Sequence, residues 1–213
     1  MSSGKFITFE GGEGAGKSVQ ARRLAEALTA RGHKTTITRE PGGVPSAEAI
    51  RALLVTGEPG RWTPEAEALL FSAARAEHLT RLIRPRLAAG DWVICDRFAD
   101  STRAYQGAGG AVPDAFIGTL NSLVVGPTVP DLTLILDLDV DAGLARAKAR
   151  AKIQSSTETR FEQFDRGFHE RLRAAYRTIA AAEPKRCVLI DAAGDMDSVA
   201  GAIWAVVEQR LAP

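Results

Sequence analysis

Phe6-Ile7-Thr8-Phe9 leads into Gly11-Gly12-Glu13-Gly14-Ala15-Gly16-Lys17-Ser18, an apolar run that ends in a complete G-x-x-x-x-G-K-S loop. Beyond the loop, Leu24, Ala25 and Leu28 recur at helical spacing. A glycine-rich turn with a chance Lys-Ser is the bland alternative, and the strand before it and helix after it argue against that. Glycines let the backbone N–H groups turn onto phosphate oxygens, Lys17 supplies a point charge, and Ser18 a hydroxyl for Mg²⁺. The following helix adds its positive N-terminus. The stretch reads as a nucleotide phosphate site.

Outward from the loop, short apolar runs at 6–10, 34–39, 92–96, 132–137 and 187–191 alternate with helical patterns near 17–31, 46–55, 64–89, 114–124, 141–151, 160–182 and 196–211. Four of the five runs are almost continuously apolar, as strands covered on both faces must be. Lys34-Thr35-Thr36-Ile37-Thr38-Arg39 is more polar and belongs nearer an edge. Thr63-Pro64-Glu65 is a helix start, with a capping hydroxyl, then Pro, then an acid. The alternation predicts an α/β chain: a five-stranded parallel sheet, doubly wound, with helices on both faces, in one domain spanning 1–213. With 213 residues, 45% of them hydrophobic, the chain can bury one sizeable core.

Composition also narrows the partners. The net charge of +1 gives no electrostatic case for nucleic acid, and no apolar run approaches the ~20 residues that span a bilayer. Met1-Ser2-Ser3-Gly4-Lys5 lacks the apolar core of a secretion signal. Cys95 and Cys187 lie in apolar runs and read as reduced core thiols, which suits a cytoplasmic protein.

In a parallel sheet, ligands collect beyond the carboxyl ends of the strands. The first three strands end there in the phosphate loop, in Arg39-Glu40-Pro41-Gly42-Gly43 and in Asp96-Arg97-Phe98. Three polar clusters on one rim make an active-site layout. Asp96 can act on Mg²⁺ through water, and Arg97 can fork onto a phosphate; a helix-capping Asp96 with a surface-paired Arg97 is the other reading. Phe71 and Arg75, four apart on one helix face, suit either a flat base or a core ring with a surface pair. Tyr105-Gln106-Gly107 reads equally as a helix end. The cation-rich stretch from Arg146 to Arg166 has a polar centre, Gln154 to Thr159, and fits either a solvated surface or a lid over about 146–162. The loop's own variable positions are Glu13 and Ala15, so the positive charge that phosphoryl transfer needs must come from another segment, which favours the lid.

Phe9-Glu10-Gly11 through Ser18, Thr38-Arg39-Glu40-Pro41-Gly42-Gly43, Asp96-Arg97-Phe98, Ser101-Thr102, Ala104-Tyr105-Gln106-Gly107, Leu136-Asp137-Leu138-Asp139 and Arg160-Phe161-Glu162 occur in the order found in thymidylate kinases. Over nearly its whole length the chain resembles that bacterial dTMP kinase family. The resemblance implies a P-loop NTPase fold, transfer of a phosphoryl group from Mg·ATP to dTMP, and a homodimer. It implies that Phe71 stacks on thymine, that Arg75 bonds a base carbonyl with Thr102 nearby, and that Pro41 walls the pocket. Tyr105 would lie under the deoxyribose with Gln106 beside it, Arg97 would hold the dTMP phosphate, and Glu13 would lie near the 3′-hydroxyl and the metal shell. Arg146 and Ala192-Ala193-Gly194-Asp195 fall on the adenine side by position. An acid and a small residue in the loop match the class that uses lid arginines, here Arg150 and Arg160. Two positions depart from the family pattern: Ala151 to Thr159 is longer and poorer in arginine than the family's lid, and Val19 replaces a hydroxyl residue.

Other readings remain open at this point. A kinase for another monophosphate, such as dUMP or dGMP, differs in little that a sequence displays, since a methyl contact gives only about 10- to 200-fold discrimination. A nucleotide switch is disfavoured because no Asn-Lys-x-Asp segment occurs and a switch has no use for Phe71, Arg75 and Tyr105.

Overall fold

All five expected strands pair in parallel, in the order β2-β3-β1-β4-β5. The structure, a computed structural model, describes residues 4–154 and 158–213; the centre of the expected lid, 155–157, lies outside them. β1 (Lys5–Gly11) is central, between β3 (Trp92–Asp96) and β4 (Leu132–Asp137), with β2 (Thr35–Arg39) and β5 (Cys187–Asp191) on the edges. The polar second strand therefore takes an edge, as its composition predicts.

Strand alternation divides the core in two. Ile7, Phe9, Ile94, Leu132, Leu134 and Leu136 pack on Leu24 and Leu28 of α1 (Lys17–Thr29) and on Val199, Ile203 and Val207 of α9 (Met196–Leu211). On the opposite face Phe6, Val93 and Cys95 meet Leu79 and Ile83, while Ile135 and Cys187 meet Leu172, Tyr176 and Ile179 of α8 (Arg166–Ala182). Both cysteines are buried and unpaired. Thr8 and Thr133 are fully buried neighbours on β1 and β4, and their hydroxyls satisfy each other at 2.8 Å.

The long helix expected at 64–89 runs as α3 (Pro64–His78), a widened π-helical turn at Leu79–Ile83, and α4 (Arg84–Ala88). Thr63 caps it by accepting from the Ala66 N–H at 3.3 Å. The widened turn lies just ahead of Pro85, which has no N–H to return to the previous turn. α2 (Pro45–Val55) packs against α3.

Two segments differ from the expectation. Residues 99–109, which show no amphipathic stripe, are helical: α5 (Ala99–Thr102) continues into a π-helical stretch, Arg103–Gly109. Ala104, Tyr105, Gln106 and Gly107 are consecutive and all buried, so burial does not alternate with exposure there and gives no periodic signal. The helix expected over 160–182 is instead a 3-10 turn, Arg160–Gln163, followed by α8. Asp165 separates them, its carboxylate accepting from the Phe168 N–H at 2.7 Å as an N-cap. α6 (Asp114–Val124) matches its expected range, and α7 (Val140–Gln154) runs somewhat past its own. Among the described residues, no helix is long and apolar enough to cross a membrane.

Candidate active site

The loop after β1 is built for close backbone approach. A Cβ on Gly14 would sit 2.0 Å from the Gly143 carbonyl, and Gly16 has φ 91° where it caps α1. Only glycine meets both demands without strain. The first turn of α1 has neither a side-chain cap bond nor an acidic residue, so its positive end faces the loop uncompensated. Lys17 folds back over the loop, its ammonium donating to the carbonyls of Gly11 at 3.1 Å and Gly12 at 2.7 Å. Burial, then the nearby Arg97, pushes its pKa down to about 8, against the pull of Glu13, Asp96 and Glu10.

β3 delivers the second cluster. The Ser18 hydroxyl donates to the Asp96 carboxylate, placing two side-chain oxygen groups side by side at the loop. The chain then turns sharply: Arg97 has φ 71°, and its N–H donates to the Phe9 carbonyl at 2.8 Å. That turn throws the guanidinium back across the loop. There it donates to the Gly11 carbonyl at 3.1 Å and to Glu13 at 3.0 Å, 4.9 Å above the Tyr105 ring. The Tyr105 hydroxyl donates to the same Glu13 oxygen at 2.7 Å. Burial raises the Glu13 pKa, but Arg97, Lys17, the Tyr105 bond and Arg150 together outweigh it and hold it at about 2.

The third cluster fixes a buried guanidinium. Arg75, 1% exposed, donates through Nε to Glu40 at 2.8 Å and through Nη2 to the Phe98 carbonyl at 3.1 Å and Thr102 at 3.0 Å. Among the described residues its Nη1 has no partner. Glu40 also meets His78 Nδ1 at 3.0 Å, and His78 Nε2 meets the Thr38 hydroxyl at 2.7 Å. Glu40, His78 and Thr38 are therefore orienting residues; the sequence reading placed Glu40 and Thr38 in its motif blocks without a role and missed His78. One signal was available, since His78 lies three residues beyond Arg75 on the same helix face.

Phe71, Pro41, Thr102, Tyr105 and Gln106 line one cleft with the phosphate loop, Asp96 and Arg97. The cleft volume is ≈ 990 Å³, at the upper end for small-ligand sites.

The two lid arginines part company. Arg150 is half exposed, lines the cleft, and donates to Glu162 at 3.0 Å. Arg160 does not join it. It is 1% exposed and donates to the carbonyls of Glu58 at 3.1 Å and Leu54 at 3.0 Å and to the Glu67 carboxylate. Glu67 in turn accepts from Gln106 at 3.1 Å. Against the expectation, Arg160 is thus a buried clamp that ties the end of the lid segment to α2 and α3. Next to it, Phe161 meets the Tyr105 ring edge-on at 5.5 Å. Arg146 donates to the Ala192 carbonyl at 3.3 Å, joining the two segments assigned to the adenine side.

Arg160→Ala is expected to destabilise the fold by about 3–5 kcal/mol, because it leaves Glu67 buried without its counter-charge. Arg150→Ala removes a partly exposed pair worth about 0–1 kcal/mol. Thermal unfolding of the two variants separates them, and equal small shifts would contradict the clamp.

The family model for thymidylate kinase matches residues 9–203. The thymidylate kinase of Caulobacter vibrioides is 59% identical over 211 residues, 99% of each chain. That of Bradyrhizobium diazoefficiens is 54% identical over 210 residues, 99% of this chain and 91% of the relative. The chain belongs to the thymidylate kinase family. The crystal structure of thymidylate kinase from Ehrlichia chaffeensis superposes with a TM-score of 0.76 at 33% identity, covering 96% of this chain and 99% of that one. The five-stranded parallel sheet is accordingly the P-loop NTPase fold of thymidylate kinases, and the chain is a phosphotransferase of that family.

Proposed function

We propose that the chain transfers the γ-phosphoryl group of Mg·ATP directly to dTMP, giving ADP and dTDP. The observation that carries this reading is a single cleft lined by the phosphate loop, Arg97, Phe71 and Thr102, with buried Arg75, whose Nη1 has no partner among the described residues, bonded to the cleft wall at Glu40 and Thr102. A buried, oriented donor lacking an acceptor suits a base carbonyl, and Phe71 offers the flat face beside it. In this reading Thr102 and Pro41 close the base pocket, Tyr105 lies under the sugar with Gln106 behind it, and Arg97 takes the acceptor phosphate. Glu13, ionised throughout the neutral range, faces the sugar 3′-hydroxyl.

On the donor side, Lys17 leaves the loop carbonyls for the phosphates, and the amides of residues 11–18 and the α1 N-terminus hold the β-phosphate. Ser18 and Asp96 offer the hard oxygen donors that Mg²⁺ takes alongside phosphate oxygens and water. Bound there, Mg²⁺ would neutralise charge on the transferring group. Arg150 is the lid cation of this reading. It need only exchange Glu162 for a phosphate, whereas Arg160 is committed to the clamp. The accepting phosphate is already an oxyanion, so no general base is required. Arg146 and the 192–195 loop border adenine. The enzyme acts in the cytoplasm, which its two unpaired buried cysteines suit. It forms a homodimer through α3 and α6, whose Leu69 and Leu123 are 51% and 77% exposed, and light scattering of the purified chain checks this.

A coupled ADP-release assay with Mg·ATP and dTMP, dUMP, dGMP, dCMP or AMP tests the reaction. Turnover should be fastest with dTMP, and slower with dUMP by about 10- to 200-fold for the missing methyl. ATP hydrolysis that ignores every monophosphate would overturn it.

A further inference from the structure

Glu10 lies at the end of β1, wholly buried, and takes no part in the chemistry above. Four donors converge on its carboxylate. The Phe98 N–H reaches Oε1 at 2.8 Å and the Ser101 N–H reaches it at 3.2 Å. The Ser101 hydroxyl reaches Oε2 at 2.6 Å and the Tyr176 hydroxyl at 3.0 Å. Those two hydroxyl oxygens are also the acceptors of Arg97, whose Nη1 lies 3.3 Å from Ser101 and 3.4 Å from Tyr176. Each hydroxyl has one hydrogen. While it is spent on Glu10, the lone pairs face the guanidinium.

We propose that Glu10 is a positioning residue for Arg97: its ionised carboxylate keeps the Ser101 and Tyr176 hydroxyls turned inward so that their oxygens hold the guanidinium, and uptake of one proton by Glu10 releases that hold and weakens the acceptor phosphate site. The step balances simply. A proton from solvent adds to the carboxylate and needs an acceptor, because all four existing partners are donors. One hydroxyl must rotate to accept it, and its own hydrogen then points away from Glu10, on the side of a cation.

The surroundings put this exchange within working pH. Burial is the main influence raising the Glu10 pKa, followed by Asp100; the Ser101 bond, Arg97 and the Phe98 N–H oppose them, and the balance lies at about 7. The charged and titratable groups facing it are Arg97 and Cys95 from β3 and its turn, Asp100 from α5, Lys17 from the phosphate loop and Tyr176 from α8. Asp100 is itself held in place by Arg186 at 2.6 Å and Arg103 at 3.0 Å.

The inference rests on the reading of Arg97 as the acceptor-phosphate ligand, and the test keeps the two apart. Steady-state KM and kcat for dTMP are measured at saturating Mg·ATP over about pH 5.5–8.5 for the wild type and Glu10→Gln. Gln carries a side-chain N–H₂ facing the hydroxyls and so imitates the protonated acid. The variant is expected to show a KM raised about five- to tenfold at alkaline pH, with kcat changed far less. Its remaining pH dependence should be that of the substrate phosphate alone, whereas the wild-type KM climbs more steeply as pH falls through about 7. Parallel profiles for the two enzymes overturn the inference while leaving the kinase reading intact. Absence of wild-type dTMP turnover would instead remove that reading. If Glu10→Gln does not fold, Tyr176→Phe decides: it should raise KM and flatten the same limb, and an unchanged profile overturns the proposal.

Discussion

Replacing Lys17 with Ala is expected to reduce turnover by at least about 10²–10³-fold, the loss typical when one pre-placed donor to a developing charge is removed. Binding of dTMP, followed by calorimetry, should stay near the wild-type value. The asymmetry follows from the structure. Lys17 is the one cation of the phosphate loop, whose variable positions are Gly12, Glu13, Gly14 and Ala15, and its ammonium lies on the Gly11 and Gly12 carbonyls. The acceptor end of the cleft is assembled separately, from Phe71 and Thr102 on other elements, with Arg75 bonded to Thr102. The wild-type enzyme should also lose kcat/KM for ATP as pH rises through about 8, where burial leaves Lys17 ready to shed its proton in the unliganded site. Bound phosphates keep the ammonium charged, so kcat should hold further into the alkaline range. A Lys17→Ala variant with near-normal turnover would refute the assigned role of the loop.

Arg97→Gly is expected to lower kcat/KM for dTMP by at least about 10²-fold, since each charge-assisted hydrogen bond lost to the phosphate is worth about 1.5–3 kcal/mol. Glycine is the informative substitution because position 97 has φ 71°. An L-residue is strained there by roughly 1–2 kcal/mol, so removing the side chain with glycine adds no backbone strain to the result. The loss should fall mainly on KM for dTMP rather than KM for ATP. A secondary effect follows from Glu13, whose low pKa of about 2 depends on Arg97 more than on any other partner. Without Arg97, protonation of Glu13 should move up toward the ordinary carboxylate range, and the acid limb of the rate profile should move with it. A KM for dTMP within a few-fold of wild type would show that the acceptor phosphate is held elsewhere.

Strain at Arg97 and the unpartnered donor on Arg75 share a physical logic. A left-handed turn is the geometry that aims the guanidinium back over the loop, and the N–H bond to Phe9 holds it there. A buried donor without an acceptor is tolerated where a ligand will supply one. Both are departures from what stability alone favours; Arg97 lines the cleft, and Arg75 bonds to its wall at Glu40 and Thr102.

How much of this was legible in the sequence depends on the range over which each feature is decided. Four of the five strands are read from unbroken apolar runs, which covered parallel strands need and which are visible one residue at a time. The phosphate loop is equally local: its spacing, the strand before it and the helix after it are all within a few turns of chain. Even the edge position of β2 follows from its own polarity. Tertiary structure alone decided the rest. Arg150 and Arg160 are two arginines in one cationic stretch, yet the first faces the cleft and the second is buried on Glu67 from α3 and on two carbonyls at the end of α2, about a hundred residues away. The helix at 99–109 carries no stripe because four consecutive residues, Ala104 to Gly107, are buried, and a stripe needs burial that alternates with exposure at helical spacing. Glu10, Glu40, Glu67 and His78 look like ordinary charged or polar residues in the chain. Their roles arise because distant elements bring donors to a buried carboxylate, which must be satisfied wherever the fold puts it. Local patterning thus determined which elements form and where the phosphates bind, while the partners of buried charges, and with them the division of labour among the arginines, were decided only when the chain closed on itself.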